Sequence, residues 1–125
     1  MSNVRKILWF GNDDLTTEQM DDLNRIYGPV IVSHFSGSAT AQEIVDLADT
    51  VKADVLAVLV PTAVLIDLTN DAINKRPVIR ATSKRVSTGR KKFNPVTGVN
   101  EDEYSFKHAG WEQVKFKITC ETIPL

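Results

Sequence analysis

The sequence predicts an α/β fold: a mostly parallel sheet with helices on both faces and a C-terminal antiparallel hairpin. Three observations carry that prediction. Short apolar runs alternate with amphipathic stretches in the order β-α-β-α-β-α-β. The third run, "VLAVLV", is continuously apolar, as a parallel strand covered on both faces is. Two of the amphipathic stretches open on complete capping boxes. At 125 residues the chain can bury one core but not two, so residues 1–125 read as a single α/β domain.

The elements follow in order. "VRKILWF", Val4–Phe10, is apolar and rich in β-branched and aromatic residues, and reads as a buried strand. Gly11-Asn12-Asp13-Asp14 ends it. Thr16 is a good N-cap, and Gln19 three residues later completes the capping box, with Leu15 and Met20 spaced as a hydrophobic staple. Met20, Leu23, Ile26 and Tyr27 then fall on one helical face. Gly28-Pro29 stops that helix.

Val30–Phe35 reads as the second strand and "SGSAT" as a loop. Thr40 and Glu43 form the second capping box. The helix from Ala41 would bury Ile44, Val45, Leu47, Ala48 and Val51. A third strand is expected over Val55–Val60 and a third helix over roughly 62–74. Pro77 opens a fourth strand, "VIRATSKRV". Residues 87–103, turn-rich and polar, read as a long irregular loop. The alternation in "YSFKHAGWEQVKFKITCETI" predicts an exposed strand pair, with Ala109-Gly110 as its turn or as a bulge. In that segment Val114, Phe116 and Ile118 lie on one side.

Composition is that of a globular chain, 42% hydrophobic and 25% charged. The single cysteine, Cys120, has no partner for an internal disulfide and reads as a small core hydrophobe. A reducing, cytoplasmic setting fits it. No apolar run is long enough for a bilayer span, so no membrane partner is expected.

Charge is unevenly placed. The net charge is −1, yet residues 75–92 hold eight of the fifteen basic residues and none of the sixteen acidic ones. Arg80, Lys84, Arg85, Arg90, Lys91 and Lys92 fall within "RATSKRVSTGRKK". Asp13, Asp14, Glu18, Asp21 and Asp22 gather near the first helix. One basic and one acidic surface are expected.

In an open α/β sheet, ligands bind outside the carboxyl ends of the strands. There the order of elements puts Gly11 and Asn12, then Ser36, Gly37 and Ser38, then Thr62, and last Arg80, Ser83 and Arg85. Hydroxyls, helix N-termini and cations in one place suit phosphate, and so many cations suit several phosphates. The opposing expectation is a solvated basic edge that discourages aggregation. His34, at a strand end, is a candidate general acid or base. His108 reads as a surface strand residue, Trp9 as core. Tyr104 and Trp111 read as packing on the sheet more readily than as stacking platforms for bases. G-x-G-x-x-G and P-loop fingerprints are missing from the sequence, so no cofactor is expected. A divalent metal on Asp13, Asp14 and Asp21 is the less favoured reading, because acids there also complement a helix dipole.

The opening "KILWF", a short polar loop and "LTTEQMDDL" resemble the start of small Rossmann-like ancillary proteins of type III CRISPR systems and of their phage-encoded relatives. The likeness extends more loosely through "VLAVLVPTAVL" and "FKHAGWEQVKF". It implies binding of a cyclic oligoadenylate messenger, either cleaved by a ring nuclease or sequestered by a sponge. It also implies a homodimer or larger homo-oligomer. Where those relatives often carry Ser or His near "FSRH", this chain has Gly11-Asn12-Asp13, so the resemblance bears on ligand class more than on chemistry. Metal-independent cleavage would need a ribose 2′-hydroxyl held in line with a phosphate. His34 and Lys84 are the candidate catalytic residues, and Arg85 would bind ligand. The alternative is a phage-encoded inhibitor or interaction module whose basic strip binds a protein or nucleic acid.

Overall fold

A computed structural model describes residues 4–116 and 121–124. Five strands and three helices follow one another as β1 Arg5–Phe10, α1 Thr17–Tyr27, β2 Val30–Phe35, α2 Ala41–Val51, β3 Val55–Val58, α3 Thr62–Leu68, β4 Val78–Asn94 and β5 Val99–Gln113. They build one mixed sheet in the order β2-β1-β3-β4-β5. The first three pairings are parallel and β4–β5 is antiparallel. The α/β class is therefore as expected, and the described strands do end in an antiparallel hairpin, though one that β4 contributes to.

Local chemistry explains the first half. Thr16 Oγ1 accepts from Gln19 N while the Gln19 side chain accepts from Thr16 N, and Thr40 and Glu43 repeat the arrangement. Gly28 ends α1 at φ 76°, a conformation that a β-carbon would strain. Neighbouring residues of the strands go to different packing groups. Ile7 and Trp9 pack with Val55, Ala57, Ile79 and Leu23 of α1. Leu8 and Phe10 pack with Leu56, Val58, Ala41, Ile44 and Ala48 of α2, and Leu65 and Leu68 of α3. Fully burying one such leucine or isoleucine contributes about 1.5–3 kcal/mol, more than the roughly 1 kcal/mol of a typical helix cap.

The second half departs from the sequence reading. β3 ends at Val58 and α3 at Leu68, both short of the expected bounds. Residues 87–103 form no irregular loop. They continue β4 and begin β5, around the tight turn Asn94-Pro95-Val96-Thr97-Gly98. The Asn94 side chain accepts from Val96 N and Thr97 N, and Gly98 lies at φ 69°. Polar composition concealed this pairing, because a two-stranded ribbon wet on both faces needs no apolar alternation.

The expected hairpin within the tail is replaced by β4 against β5. Ala109 is the extra residue of a bulge, since Thr82 opposes Gly110 and Ser83 opposes His108. Residues 114–116 extend no strand, although Val114 N donates to Val78 O. Ile118 and Cys120 lie outside the described residues. No helix among the described residues is long and apolar enough to cross a membrane.

Candidate functional site

The strand order places a crevice at one end of the sheet. From β1 the chain goes outward to β2, then returns to β3 on the other side. The β1–α1 and β3–α3 connections therefore diverge above the carboxyl ends of β1 and β3, where open α/β sheets bind ligands. β3 pairs with β4 only through Leu56–Val78 and Ala57–Ile79. β4 runs on past the end of β3 and forms a wall. A cleft of about 850 Å³ lies in this space.

Its two sides carry opposite charge. Asp13, Asp14 and Glu18 line it from the β1–α1 connection and the start of α1. Arg80, Lys84 and Lys107 line it from the ribbon, with Thr82 and Ser83 between them. Thr62 opens α3 at the rim, and Trp9 reaches the cleft from β1. Arg80 is paired with Glu112. Lys84 and Lys107 stand directly opposite each other across β4–β5, and neither has a carboxylate within 4.0 Å among the described residues. Like charges opposed in this way destabilise a strand pair unless an anion joins them.

Of the candidate catalytic and ligand-binding residues, Thr62, Arg80, Ser83 and Lys84 meet in this cleft, together with Asp13 and Asp14 of the less favoured metal reading. Gly11, Asn12, His34, Ser36, Gly37, Ser38 and Arg85 do not line it. His34 Nε2 lies 2.6 Å from Gly11 O, and Nδ1 lies 3.2 Å from Asp14 Oδ1. Both its nitrogens are thus engaged in holding the β1–α1 connection to β2. Asn12 Oδ1 accepts from Gly37 N at 3.3 Å and ties the same two loops together. Ser36 and Ser38 are exposed on that loop. Gly11 is dictated by packing: a β-carbon there would stand 2.5 Å from Trp9 Cζ2. Arg85 leaves the cleft and lies over the Tyr104 ring at 4.0 Å, a cation–π contact.

The basic run is also divided. Its outer half faces acids: Lys91 opposes Asp102 at 4.0 Å between charged atoms, and Lys92 opposes Glu101. Arg76 is at the other end of β4 and bonds Ala53 O and Asp49. Of this run, Arg80 and Lys84 are the cations that line the cleft. The helix N-termini contribute less than expected, because α1 and α2 have their first amides taken by capping boxes, with Glu18 and Glu43 in their first turns. No group of three or more His, Cys, Asp or Glu among the described residues could hold a metal ion.

Sequence reasoning missed His108. It is no surface residue: its side chain is 9% exposed and lines the cleft. Nε2 lies 3.0 Å from Asp22 Oδ2, whose other oxygen accepts from Arg25 Nε at 2.8 Å. The hydrogen bonds from His108 and Arg25 hold the Asp22 carboxyl below its ordinary pKa. Nδ1 of His108 is buried without a partner among the described residues. An unpaired buried polar atom costs about 1–3 kcal/mol, so this nitrogen is the most conspicuous unsatisfied group of the site. The only sequence hint was the Ala109-Gly110 pair, whose bulge brings His108 back onto the α1 side.

The chain matches no protein-family model, no curated protein and no solved structure.

Proposed function

We propose that the protein binds a phosphate-rich nucleotide in this cleft, cyclic oligoadenylate being the specific ligand, and so dampens or counters antiviral signalling. The observation that carries the reading is the opposed pair Lys84 and Lys107, two cations with no carboxylate beside them, next to the hydroxyls of Thr82 and Ser83. Phosphates fit the lysine side. Ribose hydroxyls and adenine amino groups, all donors, fit Asp13, Asp14 and Glu18 opposite. The choice of a cyclic oligoadenylate rests on the resemblance of "KILWF" and "LTTEQMDDL" to the CRISPR-associated proteins, as does action in the cytoplasm as a homo-oligomer. The same proposal takes the sheet as Rossmann-like, with α1 on one face and α2 and α3 on the other, a reading supported by the two separate packing groups.

Purified protein is incubated with cyclic tri-, tetra- and hexa-adenylate, binding is read by calorimetry and products by chromatography. One ring binds, and affinity falls with salt. Lys84→Glu weakens it by at least about tenfold, since a charge-assisted contact contributes about 1.5–3 kcal/mol. Linear products mark a ring nuclease, intact ligand a sponge. Failure to bind any ring, or unchanged affinity in Lys84→Glu, overturns the reading.

A further inference from the structure

β5 is the outermost strand, and among the described residues it pairs with β4 alone. Its other edge offers unpaired backbone groups along 15 residues. Long edges of this kind recruit another strand unless proline, bulges or inward charges prevent it. β5 has no proline, and its own extra residue is Ala109, near the sheet; the ladder's second irregularity, opposite Glu103, adds its residues to β4, between Ser87 and Lys91. Further out the strand reads Asp102-Glu103-Tyr104-Ser105-Phe106-Lys107-His108. Around Ser105 the pattern is acid, acid, aromatic on one side and aromatic, base, imidazole on the other.

That pattern is complementary to itself reversed. An isologous two-fold interface needs one patch that fits its own copy. We propose that β5 pairs antiparallel with β5 of a second copy about a two-fold axis through Ser105, joining two five-stranded sheets into one of ten strands. Glu103 then opposes the partner's Lys107, and Tyr104 opposes the partner's Phe106, each twice by symmetry. Cross-strand pairs of opposite charge and of aromatic rings are those that stabilise sheets.

Three observations on the single copy agree. Phe106 is 74% exposed and Tyr104 43%, large apolar surface for an isolated strand. Lys107 stands against Lys84 with no acid within 4.0 Å among the described residues; in the dimer the partner's Glu103 takes Lys107 and leaves Lys84 as the cation that faces the ligand. A two-stranded ribbon is marginally stable by itself, and β4 and β5 run far beyond the rest of the sheet.

The register is specific. Moving the axis by one residue within β5 displaces the pairing by two. An axis at Tyr104 sets Asp102 against the partner's Phe106. An axis at Phe106 sets Glu103 against the partner's Ala109. The Tyr104 axis also sets Glu101 against the partner's Lys107, but it leaves Phe106 against an acid; the Ser105 axis pairs Glu103 with Lys107 and leaves no aromatic ring opposite a charge in this stretch. Phe106 and Lys107 also line the cleft, so the interface borders the ligand site. The inference deepens the homo-oligomer part of the proposed function and is tested without any ligand.

The full chain is followed by sedimentation velocity across a range of concentrations. The expected particle is a dimer of about 28 kDa, twice the 13.9 kDa chain. Glu103→Lys and Lys107→Glu each place like charges opposite one another and sediment as monomers. Mixed together, the two variants restore a dimer, because every opposed pair is again of opposite charge. Circular dichroism reports whether each variant folds. Should one fail to fold, amide exchange of the wild-type chain decides: protection at residues 102–107 rises with protein concentration. A wild-type monomer at all concentrations overturns the proposal. So do variants that remain dimeric, a folded mixture that stays monomeric, or exchange at 102–107 that ignores concentration.

Discussion

A β-carbon on Gly11 would stand 2.5 Å from Cζ2 of Trp9, closer than carbon atoms approach. Trp9 cannot yield easily. It is 5% exposed, packs edge-to-face on Trp111, and donates Nε1–H to Asp13 O at 2.8 Å. Gly11 read in the sequence as one of the ligand-binding residues at the strand ends; in the structure the Trp9 ring packs over it. Gly11→Ala is expected to destabilise the fold by about 1–3 kcal/mol, the range for overpacking. Urea unfolding checks it: the midpoint falls while the slope stays constant. An unchanged midpoint would mean that the ring moves freely, and that the Asp13 hydrogen bond does not hold the loop.

At the scale of elements, legibility followed the range of the signal. α1 and α2 were readable because their caps are written within four residues, and β1, β2 and β3 because each is a short apolar run between breakers. Thr40→Ala tests the strongest of these signals. It removes the acceptor for Glu43 N at the head of a helix that buries Ala41, Ile44, Val45 and Ala48. A loss of about 1 kcal/mol in urea unfolding is expected, and no loss would show that core packing alone positions α2. The outer ribbon was not readable in this way. Residues 78–86 and the segment from Tyr104 read as strands, but Ser87 to Asn94 and Val99 to Glu103 have no apolar alternation, and nothing else in the sequence marked their pairing. The same gap hid the candidate site. Thr62, Arg80, Ser83 and Lys84 were identified from type and place. Lys107 and His108 were not, because only the β4–β5 register carries them to the cleft. His34, the more obvious histidine, is occupied at both nitrogens by Gly11 and Asp14.

On the scale of the whole molecule, the ribbon must be held to the body of the sheet, and the polar tie that does so runs through Asp22. This one carboxylate on α1 takes hydrogen bonds from His108 of β5 and from Arg25 of its own helix. Nearby, Trp111 Nε1 donates to Gln19 O at 3.1 Å, a second link between the same elements. The tie to Asp22 depends on charge, and the sign follows from its pKa. Hydrogen bonds from His108 and Arg25 lower the folded-state value beneath the ordinary 3.8. Folding therefore favours the ionised carboxylate. Its contribution is fully present above 3.8 and is lost as pH falls through the lower, folded-state value. Asp22→Asn has no such proton to take up. Stability of the two chains by urea unfolding, compared from about pH 5 down to pH 2, should converge at the acid end, with the wild type the more stable above it. If the difference stays constant across that range, Asp22 acts through shape and not through charge, and Trp111 with its apolar neighbours is what fastens the hairpin to α1.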